Sequence, residues 1–273
     1  MLPAGVQGLH CQAWKFVMSG VNEARVWGPL WVVFCLLEVF TAACGVPPDE
    51  GSDAGSLAEE TRAVAAQEAG HATEEVGLRL ISASERGDAR AVERLLEQDV
   101  SVDARDERGR TALIAAAYGN RLDVAGLLVD AGADVNAKDE TQQSAYLIST
   151  SEVGDDPRLL ELTLRNGANV HSLDSYNGTG LIRAAERGHV RIVEQLLQTD
   201  IEVNHVNDLG WTALLEAIIL GDGGRRHDEV VRLLVGAGAN VNLADGEGMT
   251  PLEHARWRGY EEIARILESA GAR

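Results

Sequence analysis

The chain has 273 residues, 45% of them hydrophobic, and a formal net charge of −19. So acidic a chain lacks the basic footprint of a nucleic-acid binder and suits partners that are neutral or basic. Its three cysteines, Cys11, Cys35 and Cys44, all precede residue 45, which excludes a disulfide framework or a cysteine-based metal site in the rest of the chain.

Residues 1–44 read as a leader. Arg25 stands before a nearly continuous apolar stretch of nineteen residues, 26–44, that leaves through Thr41-Ala42-Ala43-Cys44. A charged start, an apolar run and a small-residue exit are the order of a secretory signal. The exit also resembles a bacterial lipoprotein signal, which implies lipidation at Cys44; Thr41 departs from the Leu usual there, and Glu38 interrupts the apolar run. Two further readings stay open. One is an uncleaved membrane anchor, which needs roughly 20 apolar residues and is opposed by Pro29 and Glu38. The other is a spurious upstream extension of a cytoplasmic protein, with Met18 an alternative start. The expected location is the cell envelope, exported and held by the lipid or the leader, and the cytoplasm if the leader is spurious.

Residues 45–56 have the composition of an acidic flexible linker, and residues 57–77 are Ala/Glu-rich with the helix propensity expected of an N-terminal capping helix. From residue 78 one pattern recurs six times. Its starts fall at Leu78, Thr111, Ser144, Thr179, Thr212 and Thr250, at spacings of 33, 33, 35, 33 and 38 residues. A fixed period of this size marks a stacked repeat array.

Each copy carries two apolar stripes of helical period. In copy four Leu181, Ala184 and Ala185 form the first, Arg187-Gly188-His189 interrupts, and Ile192, Val193, Leu196 and Leu197 form the second. Gly188, and Asn120 in the same place of copy two, suit a left-handed turn between two short antiparallel helices. Tails such as Ala131-Gly132-Ala133-Asp134-Val135-Asn136 stop the second helix, although Asp99 and Asp200 replace the Gly in copies one and four. Tetrads then follow at Asp106–Gly109, Asp139–Gln142, Asp174–Asn177, Asn207–Gly210 and Asp245–Gly248. Their leading side chains can bond backbone two residues on, so they read as turn chemistry rather than a series of acid catalysts.

Thr250-Pro251-Leu252, with His254-Ala255 after it, the Gly188-His189 turn and the Gly132 to Asn136 tail together resemble the ankyrin repeat family over about residues 73–273. The resemblance implies an all-α solenoid of helix-turn-helix units with short finger hairpins. It also implies a non-enzymatic protein-protein interaction module, one that meets its partner on a concave groove and on the finger tips. Carried over by register, the partner-binding candidates are Tyr118, Glu152, Glu186, Arg187, Ile219, Leu220, Trp257 and Arg258 at the ends of first helices, and Tyr176, Trp211 and Met249 on the fingers. Aromatic and Arg side chains dominate interface hot spots, and this set gathers four aromatics from a chain only 4% aromatic. The plain alternative is that Trp211 or Trp257 packs between repeats.

Two departures lengthen the turn between the helices: two extra residues near Glu152–Asp156 in copy three, and five around Asp222–Arg226 in copy five. Two readings of them stay open: drift in a tolerant loop with ordinary surface charge, or the alternative function, an enzyme or small-ligand site using Asp222, Arg225 and His227. The seven histidines are scattered without metal-ligand spacing, and there is no Gly-x-x-x-x-Gly-Lys-Ser/Thr phosphate loop. The expectation is no catalysis, no metal or cofactor, no nucleic acid, membrane contact only through the leader or lipid, and a monomer that binds a protein of unknown identity.

Overall fold

The computed structural model describes residues 53–273 apart from Asp99. The leader, Cys44 and most of the acidic linker therefore lie outside the described residues. Among the described residues twelve helices, α1 to α12, form six antiparallel pairs. Copy one is α1 (Asp53–Arg86) and α2 (Ala89–Leu96), copy two α3 (Ala112–Tyr118) and α4 (Leu122–Asp130), and copy three α5 (Ala145–Ser151) and α6 (Arg158–Arg165). Copy four is α7 (Gly180–Glu186) and α8 (Val190–Leu196), copy five α9 (Ala213–Ile219) and α10 (Arg225–Gly236), and copy six α11 (Pro251–Trp257) and α12 (Glu261–Ser269).

The recurring Thr or Ser is the N-cap of each first helix from copy two onward. Thr111, Ser144, Thr179, Thr212 and Thr250 each accept a hydrogen bond from the backbone N–H three residues on, at 3.3 Å. Each such cap contributes about 1 kcal/mol. Copy six adds a reciprocal bond from the Thr250 N–H to Glu253 and a Pro at the first helical position. After the first helix Gly188 adopts φ 64° and Asn120 φ 49°, the left-handed turn that sends the chain back.

Copy one differs. α1 is a single helix of 34 residues, so Leu78 lies inside it and has no cap. The separate capping helix and first repeat helix expected from the sequence are one element, and residues 53–56, read as linker, belong to it. The physical reason is that no proline or finger tetrad falls between Asp53 and Arg86 to break a run of good helix formers.

First helices stack on first helices and second helices on second. Leu80, Leu113, Tyr146, Leu181, Leu214 and Leu252 occupy one register position and are all buried. Val92, Val124, Leu159, Ile192, Val230 and Ile263 of the second helices are buried too. Each such side chain contributes about 1.5–3 kcal/mol by leaving water, and no pair has enough of them alone. Copies three and four are locked by Tyr146, which is buried and donates from Oη to the Val170 carbonyl at 3.1 Å. Gly180 exists for this ring: a Cβ there would lie 2.6 Å from Tyr146 Oη. Burial pushes the Tyr146 phenol far above its ordinary pKa. Among the described residues no helix is long and apolar enough to cross a membrane.

Candidate partner-binding face

Each finger is built on one side chain. Asp106 Oδ1 accepts the backbone N–H groups of Arg108 and Arg110 at 2.9 Å, and Asp139, Asp174, Asn207 and Asp245 repeat the clasp two and four residues on at 2.8–3.0 Å. The tetrads are turn chemistry, and their carboxylates are spent on backbone.

What remains of each clasp is a second oxygen or an amide, which faces the fifth residue of the helix that follows, counting the cap as first. In copy four Asp174 Oδ2 takes Arg183 Nη1 at 2.8 Å. In copy six Asp245 Oδ2 meets His254 Nε2 at 2.8 Å. Burial works against ionisation of Asp245, but His254 and two backbone N–H groups outweigh it and hold the carboxyl below its usual range. In copy five the helix residue is Glu216, and the clasp residue is an Asn: Asn207 Nδ2 donates to Glu216 Oε1 at 2.8 Å. An Asp would set two carboxylates against each other. The one Asn among the five clasps thus answers the one acid among the helix partners.

Copies two and three have apolar Ala115 and Ile148 at that position. Asp106 turns instead to Arg110 at 2.9 Å, and Arg110 also reaches Glu85 of copy one at 3.4 Å. Asp139 binds the Thr141 hydroxyl at 2.7 Å and lies 3.5 Å from Tyr118 Oη. Burial, and then the Asp139 charge, raise the Tyr118 pKa.

Glu216 is only 4% exposed. Burial first, then the charge of Glu186 and more weakly that of Asp174, push its carboxyl up to about 7 against the pull of the Asn207 N–H. Glu216 and Arg183 are not among the candidates the sequence offers, and Asn207 stands there only as the head of a turn. Their signal was available: polar residues in a register position that copies two and three fill with Ala and Ile.

The candidate residues at the helix ends form a row across the stack. Tyr118 closes α3 and is 41% exposed, Leu220 follows α9 at 43%, and Trp257 closes α11 at 70%. Ile219 is half-buried beside Leu220. Between them lies an ionic cluster. Glu152, which ends α5, pairs with Arg183 at 3.3 Å and Arg187 at 3.9 Å, and Arg187 lies 3.9 Å from Glu186. Arg183 also donates to Ser151 Oγ at 2.7 Å. Arg258 reaches the Gly221 carbonyl at 3.1 Å and covers the Tyr260 ring at 5.1 Å.

On the fingers, Tyr176 is 62% exposed and its carbonyl accepts the Asp208 N–H at 3.0 Å. Trp211 and Met249 are half-buried, each with its backbone N–H in the clasp of its own finger. The geometry thus brings Glu152, Glu186 and Arg187 together, spreads Tyr118, Leu220 and Trp257 along a row, and leaves Tyr176 apart on a finger.

The two lengthened turns both hold copy four. Asp155 of copy three accepts the backbone N–H groups of Arg191 and Ile192 at 2.8 and 3.1 Å, capping α8, whose own N-cap His189 makes no side-chain cap bond. From copy five, buried His227 places Nε2 3.1 Å from the Glu186 carbonyl and Nδ1 2.7 Å from Asp222 Oδ1. The Gly224 N–H, then His227, hold the Asp222 carboxyl low. Tyr260 Oη closes the loop from copy six onto the Gly221 carbonyl at 2.9 Å. Asp222 and His227 are therefore engaged with each other, and His227 with copy four. Among the described residues no cluster of three or more His, Cys, Asp or Glu could hold a metal ion.

A family model described as ankyrin repeats (three copies) matches residues 67–139 and 147–245, more than half of the chain. The ankyrin repeat protein YahD of Escherichia coli (strain K12) is 42% identical over 191 residues, which are 70% of this chain and 94% of that one. An ankyrin repeat and KH domain-containing protein of Caenorhabditis briggsae is 30% identical over 188 residues, 69% of this chain but 6% of its own length. Among solved structures, an ankyrin repeat domain from Acinetobacter baumannii AYE matches with TM-score 0.67 at 49% identity, over 71% of this chain and 98% of that one. The ankyrin repeat domain of Bcl-3, a member of the IkappaB protein family, matches with TM-score 0.63 at 26% identity, over 71% and 86%. The chain belongs to the ankyrin repeat family.

Proposed function

We propose that the protein is a non-enzymatic interaction module that holds a protein partner on the concave face formed by its first-helix ends, with the finger tips beside it. The observation that carries this is the row Tyr118, Leu220 and Trp257, large apolar side chains left in water at corresponding ends of stacked helices. A folded chain gains nothing by exposing them there, and a preformed surface of this kind binds without a large ordering cost. The Glu152–Arg183–Arg187–Glu186 cluster lies within the row and supplies polar specificity.

The full chain, tagged and cross-linked in cells, is expected to retain a partner that is lost in Trp257→Ala and Tyr118→Ala and kept in Asp222→Ala with Arg225→Ala. The opposite pattern would return the function to the lengthened turn of copy five. The order of charge, apolar run and Thr41-Ala42-Ala43-Cys44 supports a further reading, that the protein is exported and membrane-anchored through Cys44. Mass measurement of the mature N-terminus tests it: an acylated Cys44 is expected, and a chain starting at Met1 or Met18 rejects processing there.

A further inference from the structure

We propose that the concave face of copies four and five contains a slot, between Glu186 and Glu216, that receives a basic side chain, arginine or lysine, from the protein partner. This deepens the interaction reading above and rests on it.

Glu216 Oε1 accepts the Asn207 amide at 2.8 Å, while Oε2 is buried with no hydrogen-bond partner. The other polar residues of this register position are matched by their own fingers, Arg183 by Asp174 and His254 by Asp245. Among the polar residues at this position in copies four to six, Glu216 alone has a buried acceptor left over. The fold does not require a carboxyl here, since Ala115 and Ile148 fill the equivalent place in copies two and three.

The surrounding charge is unbalanced in the same direction. Glu186 from α7 and Asp174 from the finger of copy four both oppose a negative charge on Glu216. Arg183 is drawn to Asp174, Glu152 and Ser151, and Arg187 is shared, 3.9 Å from both Glu152 and Glu186. A guanidinium or ammonium entering from the groove would meet Glu186 first and then supply the donor that Oε2 lacks. Ile219, one turn beyond Glu216, and exposed Leu220 offer apolar surface to its aliphatic stem. The net charge of −19 draws a basic segment to such a site.

The test uses random dodecapeptides displayed against the full chain. Peptides whose binding is lost in Trp257→Ala are the groove binders. Their Kd is measured before and after each Arg or Lys is replaced by citrulline or Gln, on the wild type and on Glu216→Gln and Glu186→Gln. One basic residue is expected whose replacement weakens binding at least tenfold on the wild type and less than threefold on Glu216→Gln. Glu216→Gln keeps the side-chain shape, and thermal unfolding confirms that it is folded. Groove binders without a required basic residue, or with one equally required in Glu216→Gln, overturn the slot but leave the groove. If no peptide depends on Trp257, the groove reading fails and the slot with it.

Discussion

Copies two and three and copies four to six share one backbone plan yet use the fifth residue of the first helix in opposite ways. In the first pair it is Ala115 or Ile148, buried among apolar neighbours, and the finger carboxylate finds a partner on or beside its own loop. In the later three it is Arg183, Glu216 or His254, joined to the finger of the same copy. The difference teaches that a repeat position can serve packing in one half and polar specificity in the other, provided the finger residue changes with it. Asp faces Arg and His, and Asn faces Glu.

The comparison can be broken most severely by moving a carboxyl into the apolar half. Ile148→Glu sets an acid beside the Asp139 finger with no amide to receive it, and is expected to cost about 3–5 kcal/mol in urea unfolding. A loss below about 1 kcal/mol would show that the two halves are interchangeable. Next in size is Glu216→Gln. The folded pKa of about 7 lies above the ordinary 4.5, so the folded state holds its proton where the unfolded state has released it. Stability therefore falls as pH rises from 4.5 to about 7 and is level above that. At about 1.4 kcal/mol per pH unit the loss is about 3 kcal/mol. Glu216→Gln should recover it at pH 8 and change little at pH 4.5, and unfolding curves at the two pH values check the sign.

Asn207→Asp sharpens the matching rule. It removes the donor to Glu216 and adds a carboxylate, with an expected cost of about 1–3 kcal/mol. Adding Glu216→Arg rebuilds the pairing of copy four and should return most of the loss in a double-mutant cycle. Additive costs would mean that Asn207 is not there for Glu216. The smallest effect lies at the border of the two halves: Asp155→Ala removes the cap of α8, with an expected cost of about 1 kcal/mol and faster hydrogen exchange at the Arg191 and Ile192 amides.

Much of this was legible in the letters. Thr250 and its equivalents are caps because a hydroxyl reaches the third N–H on, and Asp106 and its equivalents clasp their own turns, both within a few residues of chain. The helix-end row followed from register, since equivalent places in a stack share a face. The sequence did not reveal that α1 is continuous from Asp53, because propensity marks no boundary where nothing breaks the helix. Nor could it distinguish Trp257, left in water, from Trp211, half-buried, since each stands beside a repeat-consensus residue.

The sequence by itself determined the period, the caps, the finger turns and so the solenoid, because each is a pattern of residues near in the chain that recurs from copy to copy. Only the tertiary structure decided what those copies do to one another. His227 reaches the Glu186 carbonyl across 41 residues and Asp155 caps α8 across 36 and 37, which turned two apparent loop sites into fasteners for copy four. It also decided that Glu216 is buried beside Glu186 with an oxygen unspent. Burial and the sum of nearby charges depend on which surfaces meet, and a one-dimensional pattern does not contain that.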